Sequence, residues 1–237
     1  MAHAIGRDIV AGRLAVGATL PCDADLMERF KVSRTVLREA MKTLAAKGML
    51  DPKTRVGTQV LGEKCWNMFD ADVLAWRMAS GVDRAFLAHL FEIRQALEPL
   101  AAASAAMHRT DDDLARMREA LGAMRRPGHS RDSFALADLA FHQTVLDASA
   151  NPFLQAMGCV IQAALTLSFT ISSPVDEPER FVESGAQHGD VLDAIVRRRA
   201  QKAARAMTAV IVQGAASADI RDLKPPSITV GIEFHGA

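Results

Sequence analysis

One ten-residue stretch, Val32 to Met41, constrains the fold most, because its residues recur with the period of an amphipathic helix. Ser33 can cap the start of that helix, since its hydroxyl accepts a backbone N–H group that the first turn leaves free. The apolar residues of one face are predicted to point inward: Val36, Leu37, Ala40, Met41 and Leu44. Arg34, Thr35 and Arg38 fall on the opposite face near the helix start, where the second helix of a helix-turn-helix presents side chains to DNA.

The residues on either side supply the other parts of a winged helix-turn-helix. A short first helix is predicted over residues 3–11, Asp23 can cap a second helix, and the third helix ends at Gly48. Residues 49–61 alternate turn formers with short apolar segments and predict a two-stranded hairpin, the wing. Three residues lie at or near its tip: Lys53, Arg55 and Gly57. The sequence therefore predicts a DNA-binding domain over residues 1–62.

The charge distribution agrees with this assignment but would not establish it alone. Residues 1–62 contain ten Lys and Arg against six Asp and Glu, a net charge of +4, and the rest of the chain carries 18 against 22, a net charge of −4. A basic first quarter on a neutral chain is typical of a nucleic-acid-binding module joined to a second domain.

The spacing of several residues resembles the DNA-binding half of GntR-family transcription regulators. The matching positions are Gly12-x-Leu14-x-x-Gly17-x-x-Leu20-Pro21, Asp25-Leu26, Val32-Ser33-Arg34-x-x-x-Arg38-Glu39-Ala40, Gly48 and Gly57-Thr58-x-Val60. The resemblance implies that five residues approach double-stranded operator DNA: Ser33, Arg34, Thr35, Arg38 and Gly57. The two arginines would contact DNA directly, and the glycine lies in the wing that reaches the minor groove. At Ala24, the fatty-acid-responsive branch of the family can carry an arginine that touches DNA, so that contact is missing here.

Residues 63–80 are predicted to connect the two halves of the chain. Trp66 and Trp76 are unusual for a plain linker, and Val73 and Leu74 lie between them. These apolar side chains predict a segment that packs against a domain. The segment resembles the corresponding part of galactonate-type and other sugar-acid regulators of the same family.

The remaining residues predict a mainly α protein, with an antiparallel all-α bundle at 81–220 and a tail at 221–237. Helices are predicted at 83–108, 111–125, 131–149, 152–171, 178–198 and 200–217. The uncharged stretch from Ala148 to Val175 is long enough to span a membrane, but amide and hydroxyl side chains within it would be costly in lipid: Asn151, Gln155, Gln162, Thr166, Ser168 and Thr170. It is therefore predicted to be the central helix of the bundle. This half resembles the C-terminal effector domain of the FadR subfamily, the FCD domain.

Arg94 lies on an apolar stripe of the first bundle helix, and a buried guanidinium needs a partner. One interpretation is an internal salt bridge, for instance to a carboxylate on a facing helix. The other is a clamp for the carboxylate of a ligand. From spacing alone the salt bridge is favoured, whereas resemblance to the FCD helix Glu92-x-Arg94-x-x-Leu97-Glu98 implies the clamp.

Asp138 and His142 are four residues apart on an inward face, and His188 lies inward on a later helix. Each histidine could be a satisfied core residue, His142 through its own Asp138, or the three could line one polar cavity or hold a metal. Resemblance to FCD domains implies a divalent metal, Zn, Ni or Mn, held by one Asp and three His. The third family histidine is expected where Val210 stands, which leaves three protein ligands. A metal-free site is the alternative, with Arg94 and both histidines binding the effector directly.

Three functions are compatible with these features. The first is a cytoplasmic, homodimeric transcription regulator, most simply a repressor, that releases its operator when a small carboxylate, expected to be a sugar acid, binds the bundle. The second is a small helical metalloenzyme acting on a carboxylate, for which no general base can be named and the first sixty residues have no role. The third is a helical interaction module without an effector.

Overall fold

The computed structural model describes residues 1–53, 57–81 and 83–220. The chain forms two compact units, Met1–Val82 and Asp83–Ala237. The predicted tail at 221–237 and the predicted wing-tip residue Arg55 lie outside the described residues.

The first unit has the elements of a winged helix-turn-helix. These are α1 (Ala2–Val10), α2 (Asp23–Phe30), α3 (Arg34–Ala46), β1 (Leu50–Lys53), β2 (Gly57–Val60), a 3-10 turn (Glu63–Cys65) and α4 (Ala71–Ala79). The two strands pair antiparallel, with Leu50 opposite Val60 and Lys53 opposite Gly57. The wing therefore closes back onto the end of α3.

The inner face of α3 is narrower than the sequence pattern suggests. Leu37, Ala40 and Leu44 are buried, but Val36 is 48% exposed, so its predicted inward position is wrong. One residue is about 100° of helix rotation, so the residue before Leu37 lies at the edge of a stripe centred on positions 37, 40 and 44. The predicted cap of α2 is also wrong, because Cys22 occupies the cap position and Asp23 lies inside the first turn, where its charge suits the helix dipole.

Residues 63–80 are built into the first unit. The indole of Trp76 lies against Gly6 of α1, where a Cβ atom would come within 2.3 Å of the ring, and its Nε1 donates to His3 Nδ1 at 3.1 Å. The ammonium of Lys47, at the end of α3, contacts both carboxylate oxygens of Asp70 at 2.6 Å and Asp72 at 2.9 Å. The segment therefore joins the first helix to the end of α3.

The pair formed by Lys47 and Asp70 gives a testable stability effect. Asp70 also caps α4, because its carboxylate accepts the N–H groups of Asp72 and Val73. Replacing Asp70 by Asn keeps a capping side chain but removes the charge. We expect the first unit to lose about 1–2 kcal/mol of unfolding free energy, because a mostly buried, charge-assisted hydrogen bond is lost. Both tryptophans lie in this unit, so tryptophan fluorescence during urea unfolding reports it selectively.

The effect of this substitution should depend on pH. Burial alone would raise the pKa of Asp70, but Lys47 and the Val73 N–H outweigh it and lower the pKa. A lowered carboxyl pKa stabilises the fold above its ordinary value, and that contribution is lost as the pH falls through the folded-state pKa. The difference between Asp70→Asn and wild type should shrink as the pH falls below the ordinary pKa of an aspartate and through the lowered, folded-state pKa. Asp70→Ala, which also loses the cap, should be less stable than Asp70→Asn; equal stability of all three proteins would contradict this account.

The second unit is a helical bundle. Its helices are α5 (Arg84–His108), α6 (Asp111–Met124), α7 (Arg131–Ala148), α8 (Pro152–Gln155), α9 (Gly158–Ile171), α10 (Pro178–Val196) and α11 (Ala200–Ser217). Capping side chains start several of them as predicted, including the Thr110–Asp113 capping box and Ser130. The long α5 packs against α7, α9, α10 and α11 and forms the centre of the bundle.

The single helix predicted at 152–171 is wrong in detail, because two helices occupy that stretch. Asn151 caps the four-residue α8, and the chain turns at Ala156 and Met157 before α9 begins. Residues Pro152–Asp176 are long and apolar enough to cross a membrane by composition, and half of their most apolar window is buried inside the protein. Contacts of α9 with α5 and α7 explain its composition, since a core helix needs apolar side chains on most faces.

Candidate DNA-binding face and effector cavity

The start of α3 presents a positively charged, open surface. Arg34, Thr35 and Arg38 are all exposed, and neither arginine has a carboxylate within 4 Å among the residues that the structure describes. Arg34 and Arg38 are one helical turn apart and therefore neighbours on this face. Ser33 Oγ accepts the N–H of Val36 at 3.4 Å, which leaves its hydroxyl proton available to another acceptor. Unpaired guanidinium groups at this end of a helix suit phosphates and base edges.

Gly57 begins the second strand of the wing. Its φ of +97° is a conformation that residues with a Cβ rarely adopt, and a Cβ here would lie 2.7 Å from Thr19 Cγ2. The glycine is exposed, as the sequence prediction of a wing contact requires, but the structure gives it a backbone role as well.

The second unit encloses a polar cavity. Its volume is about 40 Å³, which is room for about three water molecules. All four predicted effector residues line it: Arg94, Asp138, His142 and His188. They come from α5, α7 and α10, so the fold brings together side chains that are distant in sequence.

Arg94 and Glu98 form an ion pair inside the unit. Both are buried, at 3% and 2% exposure, and Arg94 Nε donates to Glu98 Oε1 at 2.5 Å. The other oxygen of Glu98 contacts His142 Nδ1. The predicted internal salt bridge therefore exists, but its carboxylate lies on the same helix one turn away. His142 is likewise held mainly by Glu98, since Asp138 Oδ2 is 3.7 Å from His142 Nε2.

The outer nitrogens of the two histidine rings have different neighbours. His188 Nδ1 lies 2.7 Å from the carbonyl oxygen of Ser184, which can only accept, so that nitrogen donates. His142 Nδ1 lies against a carboxylate oxygen of Glu98. The Nε2 atoms of the two rings are 3.3 Å apart inside the cavity. Asp138 Oδ1 is 3.1 Å from His188 Nε2.

Both buried carboxylates are held in the ionised form. Burial alone would raise the pKa of Glu98, but Arg94 and His142 outweigh it and lower the pKa to about 2. Burial would also raise the pKa of Asp138, but the two histidines and Arg94 lower it overall. Two imidazole nitrogens and an ionised carboxylate thus converge inside the protein, where a cation would be attracted by the carboxylate.

The three converging residues fit a divalent metal. One ligand atom from each of Asp138, His142 and His188 can be chosen so that all lie within 4.8 Å of one another. A tetrahedral ion with ligands at about 2.0–2.1 Å places neighbouring ligand atoms about 3.3 Å apart, close to the observed spacing. The outer contacts to Glu98 and Ser184 hold both rings in place, as polar groups behind histidine ligands do at metal sites. Val210 lines the cavity at the position predicted to lack a histidine, so the described residues offer three ligands.

Two charged side chains at this site were not predicted from the sequence. Glu98 enters only as part of the FCD helix match, although its four-residue spacing from Arg94 is the signal for an ion pair along a helix. Arg180 lines the same cavity from the first turn of α10. No periodic pattern marks Arg180, because the turn before α10 brings it to the cavity.

Comparisons with known proteins agree with this architecture. Residues 1–60 match the bacterial regulatory proteins of the gntR family, and residues 89–213 match the FCD domain. The chain is 31% identical over 207 residues to the galactonate operon transcriptional repressor of Escherichia coli (strain K12), covering 87% of this chain and 90% of that protein. It is 29% identical over 202 residues to the HTH-type transcriptional repressor NanR of Salmonella newport (strain SL254), covering 81% and 73%.

A solved structure shows the same architecture. Streptococcus agalactiae GntR superposes with a TM-score of 0.53 at 25% identity, covering 89% of this chain and 99% of that one. The family consists of transcription regulators, and the metalloenzyme interpretation is therefore set aside. The chain belongs to the GntR family and has an FCD domain, which makes it a ligand-responsive, DNA-binding transcription regulator.

Proposed function

We propose that this protein is a cytoplasmic repressor of an operon for the breakdown of a sugar acid or a related carboxylate. The observation that carries the proposal is the buried polar cavity in which Arg94, Asp138, His142 and His188 converge. The names of the galactonate operon repressor and of NanR support a repressor. A buried arginine beside two histidines suits an anionic, hydrogen-bonding ligand, because each would otherwise stay poorly solvated.

Operator DNA is bound by the exposed start of α3 and by the wing. In this proposal Arg34 and Arg38 contact bases or phosphates, Ser33 and Thr35 contact the backbone or base edges, and Gly57 lies against the minor groove. The protein acts as a homodimer, because each winged head covers one half-site and a palindromic operator matches two-fold symmetry.

The effector changes operator affinity by shifting a conformational equilibrium. We expect the helices around the cavity to re-pack when the acid binds, because the ligand favours the arrangement that accommodates it best. Residues 63–80 then change the spacing of the two winged heads of the dimer.

A gel-shift titration with the DNA upstream of the protein's own operon tests this function. We expect specific binding that weakens steeply with salt, because phosphate contacts release counterions. A thermal-shift screen against hexonates, hexuronates and small hydroxy acids should then identify a compound that stabilises the second unit and releases the DNA. A protein that binds none of this DNA at low salt would contradict the proposal.

A divalent metal, Zn, Ni or Mn, is part of the proposed site, with Asp138, His142 and His188 as its protein ligands. When bound, it would offset the negative charge of Asp138 and supply a positive centre for effector oxygens. We expect isothermal titration of the chelator-treated protein with Zn²⁺ to show one site per chain. The absence of heat would support the metal-free alternative, in which Arg94 and the histidines bind the effector directly.

The position of Val210 offers a gain-of-function test of the metal site. Val210→His adds a fourth nitrogen donor to the cavity wall, and we expect Zn²⁺ to bind on the order of tenfold more tightly, because a structural zinc site prefers four protein ligands. Val210→Asn is the matched control, since its amide is polar but binds zinc poorly. If the wild type and Val210→His bound Zn²⁺ with equal affinity, the proposal that Asp138, His142 and His188 surround a metal would be contradicted.

A further inference from the structure

Two arginines line the same cavity at different depths. Arg94 is 3% exposed and is held by Glu98 within the protein. Arg180, on α10, lines the same cavity and has a side chain that is 20% exposed, so it is the more accessible of the two arginines.

Arg180 has hydrogen-bonding capacity to spare. Its Nη1 donates to Ser172 Oγ at 3.1 Å and to Glu177 Oε1 at 2.8 Å. Among the described residues, Nε and Nη2 have no hydrogen-bond acceptor. The carboxylate of Glu177 is 61% exposed, so water weakens this pair and an anion bound in the cavity can compete with it.

The electrostatic surroundings favour an anion at Arg180. Two arginines, Arg94 and Arg180, line the cavity with one carboxylate, Asp138, and the charge of Arg94 is balanced by its ion pair with Glu98. Arg180 also lies in the first turn of the 19-residue α10, where the helix dipole adds positive potential. The carboxylate of Asp138 contacts His188 Nε2 and does not form an ion pair with Arg180.

We propose that the effector carries two anionic groups, the first bound by Arg94 and the second by Arg180. This inference rests on the proposed function and narrows it from carboxylates to compounds with an anion at both ends. Hydroxyl and amide side chains line the same cavity and suit the hydroxylated carbons of such a compound: Ser168, Ser184, Gln213 and Ser217. Arg180 is then a specificity-determining residue that separates dianions from monoanions.

Matched pairs of sugar acids test this inference. Galactonate and galactarate, and gluconate and glucarate, differ only at the last carbon, which is an alcohol in the first and a carboxylate in the second. Calorimetry with wild-type protein should show the hexarate of a pair binding at least about tenfold more tightly, as a charge-assisted hydrogen bond predicts. In Arg180→Gln the hexarate and the hexonate of a pair should bind with about equal affinity. The affinity for the hexonate should change far less than the affinity for the hexarate. A 6-phosphohexonate arm distinguishes a phosphate from a carboxylate as the second group.

Two controls separate recognition from structure. Glu177→Gln removes the partner of Arg180 but keeps the cation, so the preference for the dianion should persist or increase. Arg131→Gln removes an arginine that binds Asp176 in the turn before α10 but does not line this cavity, so the preference should stay unchanged.

The outcomes that overturn the inference are distinct. Equal or tighter binding of the hexonate, or a dianion preference that survives Arg180→Gln, contradicts a role for Arg180. If neither member of any pair binds, and the phosphohexonate does not bind either, the proposal that the effector is a dianion is contradicted as well. The proposed function would survive either result if another acid of the screen released the operator.

Discussion

Arg38→Ala is expected to abolish operator binding at physiological salt while leaving the fold and effector binding intact. Arg38 is exposed on α3, so its removal costs no packing. A good arginine contact to a base is worth about 1–3 kcal/mol, and the proposed homodimer would lose it at both half-sites, which predicts a loss of roughly 10²–10⁴-fold. Fluorescence anisotropy of labelled upstream DNA measures this loss directly.

The salt dependence of the same titration shows what Arg38 contacts. If it binds phosphate, the slope of log affinity against log salt should fall by about one for each contact removed; a base contact leaves it nearly unchanged and relaxes sequence preference. Arg197→Ala is the charge-matched control, because Arg197 is exposed in the second unit. Equal operator affinity of Arg38→Ala and Arg197→Ala would remove Arg38 from the DNA-binding face.

Arg94→Ala is expected to have two separable effects. It leaves the buried carboxylate of Glu98 without its main counter-charge, and breaking a buried pair in this way costs about 3–5 kcal/mol. It also removes the proposed clamp, so operator DNA should no longer be released by the effector. Far-UV circular dichroism is dominated by the second unit, which holds most of the helical residues, whereas tryptophan fluorescence follows the first unit, which contains both tryptophans.

A double substitution separates the clamp from stability. Arg94→Met with Glu98→Gln removes both charges, keeps similar side-chain volumes and leaves His142 an amide oxygen to donate to. We expect this protein to be more stable than Arg94→Ala and to bind operator as wild type does, but to have lost its response to the effector. A response retained in the double variant would show that Arg94 is not the clamp.

Much of the fold could be predicted because its signals are local. Ser33, Thr110 and Ser130 cap helices as their side chains predict, and the wing pairs where turn formers separate two short strands. The predictions were wrong where the local sequence pattern allowed two neighbouring positions or two orientations. A cap at Asp23 and one at Cys22 differ by a single residue, and an apolar Val36 at the edge of a stripe can face either way.

The residues of the site could be predicted from the sequence, but the contacts between them could not. Residue spacing and family resemblance indicated Arg94, Asp138, His142 and His188, and the bundle brings them to one cavity. The pairing of His142 with Glu98 depends on how α5 packs against α7, which no sequence period encodes. Arg180 reaches the cavity only through the geometry of the turn before α10, so sequence reasoning had no signal for it.

One titration tests the central claim that the helical unit controls the DNA-binding head. Labelled upstream DNA is titrated with wild type, Arg38→Ala and the Arg94→Met/Glu98→Gln double variant, with and without the acid that the thermal-shift screen selects. We predict that wild type binds and is released by the acid, that Arg38→Ala does not bind, and that the double variant binds but is not released. Binding by Arg38→Ala at wild-type affinity, or release of the double variant by the acid, would contradict the account.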